Sequence, residues 1–213
     1  MEIVPTILTT DIEDLSQKVA RVKGVSSRIQ IDVVDGKFAL AKTVDLSTIR
    51  DLVDFGELKI DLHLMVDEQA GWISRCLEIV PDRIIAQLEK MNNPFEFIHE
   101  VIESGTQVGL ALDLETPLEN YADDLYLMAD LVLLLGVKAG KGGQEFNPSV
   151  LEKIKKMKNV LGDSAKIGID GGVNEKNILS CKQAGANIFY IGSSFWQESD
   201  LQKRYNDLVN LSF

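Results

Sequence analysis

Residues 29–38 read Ile-Gln-Ile-Asp-Val-Val-Asp-Gly-Lys-Phe, and the first six of them are rich in β-branched residues but carry two polar side chains. Side chains alternate between the two faces of a strand, so Gln30, Asp32 and Val34 share one face and the isoleucines share the other. An ionised carboxylate in a buried strand costs on the order of several kcal/mol unless a partner compensates it. Asp32 therefore either bonds a neighbouring strand or loop, or serves as a catalytic carboxylate at the mouth of a barrel.

The composition indicates an ordinary globular enzyme or binding protein. The chain has 213 residues, 45% of them hydrophobic, which is enough for one large domain with a sizeable core. Its formal net charge of -11 argues against nucleic acid as a partner. An anionic substrate would have to be bound by backbone amides or by a few local lysines.

The cysteines and the hydropathy pattern bear on the compartment. Cys76 and Cys181 lie in helical patterns without paired spacing, which predicts free thiols in a reducing environment. No stretch approaches the roughly 18 uninterrupted apolar residues of a membrane helix, and no basic region precedes a long apolar run at the N-terminus. We therefore expect a cytoplasmic protein that has no membrane segment.

A short apolar strand, a turn and an amphipathic helix alternate along the whole chain. Between the strands there is room for one helix each, as parallel strands require. No linker rich in Pro, Gly or Ser interrupts the series. The pattern predicts an α/β fold, a single (β/α)8 TIM barrel domain over residues 1–213, in preference to a doubly wound open sheet. The predicted strands are 3–8, 29–34, 58–66, 83–89, 107–114, 131–137, 166–173 and 188–193.

Several helix starts are marked by capping signals. Thr10 with Glu13 three residues later has the form of a capping box, and Asn93 is followed by a proline and an acid. Similar signals occur at Thr116-Pro117, at Asn147-Pro148 and at Asn174. Each is predicted to begin a helix, and a last helix near residues 200–211 would close the barrel.

Polar residues recur where the predicted strands end. Active sites of such barrels lie at the C-terminal ends of the strands. Asp32, His63 and Asp170 occupy such ends, with the parity of inward-facing residues in the second, third and seventh strands. Two carboxylates and an imidazole at one mouth suit a divalent metal ion. For His63, a hydrogen-bonded core histidine is the alternative.

Glycine-rich turns follow the last three predicted strands. They are Gly140-Lys141-Gly142-Gly143, Gly171-Gly172 and Gly192-Ser193-Ser194. Glycine lets an anion approach backbone amides closely, and barrels often bind phosphate at the loops after strands seven and eight. Any one of these could be an ordinary turn glycine, but the three together predict a phosphate site.

The chain resembles the ribulose-phosphate 3-epimerase family, including its allulose-6-phosphate relatives. The resemblance runs through the segments VPTIL, IDVVDGKF, DLHLMV, GLALDLETPLE, GKGGQEF, DGGVN and AGANIFYIGSS in that order. It implies a (β/α)8 barrel that inverts carbon 3 of a ketose phosphate through an enediolate. The first expectation is conversion of D-ribulose 5-phosphate to D-xylulose 5-phosphate, by a homo-oligomer.

The resemblance also implies roles for individual residues. Asp32 and Asp170 would be the opposed acid and base, and together with His63 they would hold one divalent metal ion. Thr6 and Met65 would contact the substrate. The phosphate would be bound by Gly142, Gly143, Gly171, Gly172, Gly192 and Ser193.

Two departures from the family's pattern bear on activity. Gln30 stands in the place of a second ligand histidine, and an amide oxygen is a weaker and harder donor than imidazole. The metal, whether Zn, Fe, Mn or Mg, should therefore bind less tightly. The second departure is in the family's lid segment, which follows the sixth strand and reads Ala139-Gly140-Lys141 here. Its lysine, Lys141, and the adjacent Lys138 either attract phosphate or are simply solvated.

The sequence bears on three alternatives to epimerisation of D-ribulose 5-phosphate. A degenerate paralogue could bind a sugar phosphate without turnover, and an epimerase could prefer another ketose phosphate such as D-allulose 6-phosphate. A related lyase or decarboxylase would carry an Asp-x-Lys-x-x-Asp motif in the third strand, but the chain has His63 where the lysine would stand.

The inward-facing Gln87 of the fourth strand is expected only to fill the barrel.

Overall fold

Eight parallel strands close into a barrel in chain order, so that each strand pairs with the next and β8 pairs with β1. The structure is a computed structural model, which describes residues 1–163 and 165–211. The barrel predicted from the sequence is confirmed, and residues 164, 212 and 213 of the predicted domain lie outside the described residues. The strands are β1 Glu2–Ile7, β2 Arg28–Val34, β3 Lys59–Met65, β4 Arg83–Gln87, β5 Gln107–Leu112, β6 Leu131–Leu135, β7 Ile167–Asp170 and β8 Ile188–Ile191.

Helices connect the strands and cover the outside of the barrel. They are α1 Ile12–Val22, α2 Leu46–Leu52, α3 Ile73–Leu77, α4 Pro94–Glu103, α5 Asp123–Leu127, α6 Val150–Leu161, α7 Ile178–Ala184, α8 Ser193–Trp196 and α9 Leu201–Leu211. Within the described residues, none of these helices has the length and apolar character to span a bilayer. The closing helix α9 lies where the sequence predicted it.

Two of the predicted helix starts illustrate how capping is decided locally. The capping box predicted at Thr10 is wrong, because Asp11 is the residue that caps α1 and its Oδ1 accepts a hydrogen bond from the Glu13 N–H at 2.8 Å. The start at Asn93 is confirmed, since its Oδ1 accepts from the Glu96 N–H at 3.3 Å and Pro94 opens α4. An aspartate adjacent to the first turn outcompetes a threonine one residue earlier.

The other three predicted starts are displaced toward the C-terminus. Thr116-Pro117 precedes only a 3-10 turn, Leu118–Asn120, while Asn147 and Asn174 lie before α6 and α7 rather than at their caps. Each of these asparagine side chains accepts a backbone N–H two residues later, and so closes a turn ahead of the helix.

The barrel divides its apolar residues into two clusters. Outward-facing strand residues such as Ile31 and Leu62 pack against the helices in the main core. Inward-facing residues such as Val34, Ile85 and Leu133 form a smaller cluster inside the barrel. The inside is therefore mostly filled, and the polar side chains that point inward are exceptions that need a physical explanation.

Both cysteines belong to the main core. Cys76 on α3 and Cys181 on α7 are free thiols with no exposed surface, as the sequence predicted. Burial raises the pKa of each thiol to about 12, so neither is a nucleophile at neutral pH.

An ion cluster lies inside the barrel on the N-terminal side of His63. The fully buried carboxylate of Asp61 accepts hydrogen bonds from Arg28, from Arg83 at 2.8 Å and from the Tyr190 hydroxyl at 2.7 Å. Arg83 also donates to Gln107 at 2.9 Å. These contacts link four strands through one carboxylate, and they satisfy charges that would otherwise be buried without a partner.

We predict that D61A lowers the free energy of unfolding by about 3–5 kcal/mol, because it leaves buried guanidinium groups without their carboxylate. Urea denaturation measures the change. D54A is the matched control, since Asp54 pairs with Lys23 at 2.8 Å on the surface, where solvent screens the ion pair and its loss should leave the free energy of unfolding nearly unchanged. Similar losses for the two variants would contradict a stabilising role for the buried cluster.

Candidate active site

Three potential ligand side chains converge at the C-terminal end of the barrel. Asp32 and His63 are paired across β2 and β3, and Asp170 is the last residue of β7. Their nitrogen and oxygen atoms lie within 4.8 Å of one another. The structure therefore brings together the three residues that the sequence suggested as a metal site.

The side-chain amide of Gln30 lies between the two carboxylates. Its Nε2 donates hydrogen bonds to Oδ2 of Asp170 at 2.6 Å and to Oδ1 of Asp32 at 3.0 Å. Nδ1 of His63 also lies 3.0 Å from that oxygen of Asp32. Gln30 is fully buried, and within the described chain its Oε1 has no hydrogen-bond partner.

The environment of Asp170 raises the pKa of its carboxyl group toward neutral pH. Loss of solvent around the carboxyl group, followed by the negative charge of Asp32, raises the pKa of Asp170 to about 7. The hydrogen bonds from Gln30 and the Gly171 N–H oppose this shift, as does the charge of His63 whenever its imidazole is protonated. A carboxyl group with such a pKa can release or accept a proton at physiological pH, as acid–base catalysis requires.

The donor set fits a divalent cation. Two carboxylates and an imidazole are ligands that Zn²⁺, Fe²⁺ and Mn²⁺ accept, and Mg²⁺ is compatible with the carboxylates. The orphaned Oε1 of Gln30 is a further donor, because a half-turn of the amide exchanges its oxygen with the nitrogen that now contacts the carboxylates. A cation would then satisfy a buried oxygen that otherwise lacks a partner.

A cavity of about 600 Å³ opens above these residues. Asp32, His63 and Asp170 line this cavity, whereas Gln30 is fully buried and does not line it. All the residues that the resemblance suggested for substrate and phosphate line the same cavity, namely Thr6, Met65, Gly142, Gly143, Gly171, Gly172, Gly192 and Ser193. The volume is typical of small-molecule sites.

The glycines that line the cavity have different physical explanations. Gly171 and Gly172 have positive φ, and a Cβ would stand 2.4 Å from Cγ2 of Val137 and 2.5 Å from the backbone nitrogen of Phe146, respectively. The fold itself requires both of them. Gly192 has a negative φ, and its nearest neighbour would be the Thr6 oxygen at 4.0 Å. Neither a positive φ nor a close neighbour therefore accounts for a glycine at this position, and the space beside its backbone is open to the cavity.

Sequence reasoning missed two contacts of this site. Gln87 was expected only to fill the barrel, but its Nε2 lies 3.1 Å from Nε2 of His63. The second contact is made by Trp196, whose Nε1 donates to the Thr6 carbonyl at 2.7 Å. The inward parity of Gln87 in the fourth strand was the one signal available for the first contact.

The lid residues lie at the mouth of the cavity. Lys138 and Lys141 are exposed and line it, as does Lys176 beyond the β7 glycines. Gln144 holds the lid turn by donating to the backbone carbonyls of Lys138 at 2.7 Å and Lys141 at 2.6 Å. Positive charge therefore faces the entrance of a protein whose formal net charge is -11.

Comparison with known sequences gives a consistent result. Residues 2–196 match the ribulose-phosphate 3 epimerase family. Ribulose-phosphate 3-epimerase of Bacillus subtilis (strain 168) is 32% identical over 216 residues, covering 98% of each chain. The ribulose-phosphate 3-epimerase of Mycobacterium bovis is 30% identical over 202 residues, covering 93% of this chain and 87% of the relative.

Comparison with solved structures supports the fold. A 3-hexulose-6-phosphate synthase superposes with a TM-score of 0.73 at 15% identity, covering 99% of both chains. Orotidine 5'-phosphate decarboxylase from Pyrococcus horikoshii gives a TM-score of 0.67 at 14% identity, covering 99% of this chain and 98% of that one. At such low identity, these matches show the barrel alone.

We predict that Gln30→His tightens Zn²⁺ binding by about tenfold or more, the scale on which changes around a metal site act. Imidazole is the better donor for this ion and needs no amide rotation. Calorimetric titration of metal-free protein measures the dissociation constant. Gln30→Leu is the control, since leucine offers no donor and should not tighten binding. Equal affinities of wild type and Gln30→His would contradict a metal site at this position.

Proposed function

Because the chain belongs to the ribulose-phosphate 3-epimerase family, we propose that it inverts carbon 3 of a ketose phosphate, with D-ribulose 5-phosphate and D-xylulose 5-phosphate as the substrate pair. The observation that carries this proposal is the pair of carboxyl groups, Asp32 and Asp170, which border one cavity from β2 and β7. An epimerase needs two proton-transferring groups at one carbon, whereas a protein that only binds sugar phosphate needs neither.

The reaction is a proton exchange at carbon 3. One aspartate takes the carbon 3 proton, and the electron pair of that bond moves toward the carbonyl at carbon 2 to give an enediolate. The other aspartate then delivers a proton to the opposite face of carbon 3, which inverts the centre. The raised pKa of Asp170 suits this exchange, since a carboxyl that titrates near neutral pH is effective in both directions.

We propose that Asp32, His63 and Asp170 hold one divalent metal ion, with Gln30 as a further ligand through its oxygen. When bound, such an ion supplies positive charge that stabilises the developing enediolate oxygens. An amide oxygen in place of imidazole should lower the affinity for Zn²⁺ or Fe²⁺ and favour the harder ions Mn²⁺ and Mg²⁺.

The upper part of the cavity is proposed to hold the substrate. Thr6 and Met65 lie beside the carboxylates and would contact the sugar. The phosphate would be bound by the backbone of the loops that carry Gly142, Gly143, Gly171, Gly172, Gly192 and Ser193. Lys138 and Lys141 at the mouth would attract this anion to an otherwise acidic protein.

The relatives support neither a lyase or decarboxylase activity nor a protein that only binds sugar phosphate. Those compared by sequence carry the name ribulose-phosphate 3-epimerase, and the third strand lacks the lysine of the lyases and decarboxylases. D-allulose 6-phosphate remains the substrate to compare with D-ribulose 5-phosphate. We further propose that the enzyme works in the cytoplasm as a homo-oligomer, as the family resemblance implies.

We predict that the protein, incubated with D-ribulose 5-phosphate and Mn²⁺ in heavy water, exchanges the carbon 3 proton and forms xylulose 5-phosphate. After the ion is removed by chelation, NMR detects both changes. D32N and D170N should each slow epimerisation by about 10²–10⁴-fold, the usual contribution of a positioned acid or base. D67N, which alters a carboxylate near the end of β3 that does not line the cavity, is the control. Binding of the sugar phosphate without exchange would refute the epimerase.

We predict that Gly192→Ala raises the KM for the sugar phosphate by about tenfold, or about 1.4 kcal/mol, because the added methyl group occupies the space of the ligand. Its folding stability should stay within about 0.5 kcal/mol of wild type, since among the described residues other than its two chain neighbours no atom lies closer than 4.0 Å to that methyl position. Gly71→Ala is the matched control, because Gly71 also has open space but lies outside the cavity. An unchanged KM in Gly192→Ala would argue against phosphate at this backbone.

A further inference from the structure

The buried amide of Gln87 contacts the imidazole of His63 on the side away from the carboxylates. We propose that Gln87 decides which nitrogen of His63 carries the proton, and that its amide must rotate before Nδ1 can bind a metal ion. Gln87 is thus a positioning residue rather than a catalytic one. The inference rests on the metal site of the proposed function and adds a residue to it.

The contacts of His63 leave few choices for its protons. The imidazole is 1% exposed, its Nε2 lies 3.1 Å from Nε2 of Gln87, and its Nδ1 lies 3.0 Å from Oδ1 of Asp32. An amide NH2 group only donates, so Nε2 of His63 must accept and carries no proton. The proton of the neutral ring then lies on Nδ1 and is donated to Asp32.

This arrangement is incompatible with metal binding through Nδ1. Nδ1 is the nitrogen that faces the carboxylates, and a ligand nitrogen must offer a lone pair. Binding therefore requires that one proton leaves Nδ1 and that one is taken up at Nε2, so the ring stays neutral. The protonated Nε2 then needs an acceptor.

Gln87 can supply that acceptor without a new cavity. Its Oε1 is fully buried, and in the described parts of the chain it has no hydrogen-bond partner. A half-turn of the amide places this oxygen against Nε2–H of His63, where it accepts a hydrogen bond, and turns Nε2 of Gln87 into the space that the oxygen leaves. The side-chain oxygen of Gln30 likewise has no partner among the described residues, so both amides that border the ligand set direct their nitrogens toward it.

The backbone of Gln87 is held while its side chain turns. The Nε2 of Gln69 donates to the Gln87 carbonyl and to the Val66 carbonyl, at 2.9 Å in each case. These bonds tie the end of β4 to the end of β3, where His63 lies. Rotation of the amide is therefore the small motion that the contacts leave open.

The chain offers a simple spectroscopic test, because His63 and His99 are the two histidines in its sequence. The His99 side chain is 70% exposed and serves as an internal reference. We expect ¹⁵N NMR of histidine-labelled, metal-free protein to show the His63 proton on Nδ1. Addition of Zn²⁺ should move it to Nε2. A metal-free protein that already carries its proton on Nε2 would overturn the proposal.

Two variants separate positioning from packing. When its carboxylate is ionised, Gln87→Glu can only accept, so at a pH that ionises it Nε2 of His63 should carry a proton even without metal, and Zn²⁺ affinity should be retained. Gln87→Met keeps the volume but removes the acceptor, and it should weaken Zn²⁺ binding by about 10–100-fold, as loss of a partner behind a ligand histidine does. Gln69→Met is the control for loosening of this strand end; if it weakens Zn²⁺ binding as much, the positioning role is refuted.

The outcomes distinguish this inference from the proposed function. If wild type binds no Zn²⁺, the metal site of the proposed function fails, and the NMR spectra of metal-free wild type and Gln87→Glu still decide whether Gln87 controls the proton. If Zn²⁺ binds without moving the His63 proton, the metal site stands and the role of Gln87 is refuted. Neither readout uses turnover, so an unexpected substrate does not affect the test.

Discussion

Two carboxyl groups on either side of one amide nitrogen are the interaction on which the site depends. Asp32 and Asp170 come from strands far apart in the chain, and closure of the barrel forces them toward each other. Like charges at this distance repel, and the repulsion is relieved by a proton, by a donor such as Gln30 or by a cation. A proton on one carboxyl group and a cation beside the pair are also what the proposed proton transfer at carbon 3 would use.

The strand pattern was enough to predict the barrel and the convergence of Asp32, His63 and Asp170, because side-chain parity and strand ends are local properties. The partners of these residues could not be predicted that way. Whether Gln87 touches His63 depends on the register between strands and on rotamers, which periodicity does not encode. The misplaced start of α1 has a similar cause, since two neighbouring residues were both competent caps.

Two buried polar side chains of β3, Asp61 and His63, differ in how their surroundings are hydrogen-bonded. Asp61 is held by arginines and a tyrosine, so its hydrogen bonds are made within the protein and contribute to folding. His63, two residues later, belongs to a set in which Gln30 and Gln87 leave oxygens unpaired. Unpaired buried atoms lower stability, and they are expected where a ligand completes the structure. The same strand thus combines a carboxylate whose hydrogen-bond partners belong to the protein with a histidine whose neighbouring amides keep oxygens without a partner among the described residues.

The buried thiols have a practical consequence for studying how the cavity mouth moves. Cys76 and Cys181 have no exposed surface, and burial raises the pKa of each thiol to about 12. Maleimide reagents should therefore not react with them in the folded protein. A cysteine introduced at the exposed lid position of Lys141 would then be labelled alone. Fluorophores or spin labels can be attached to the entrance while the native core remains intact.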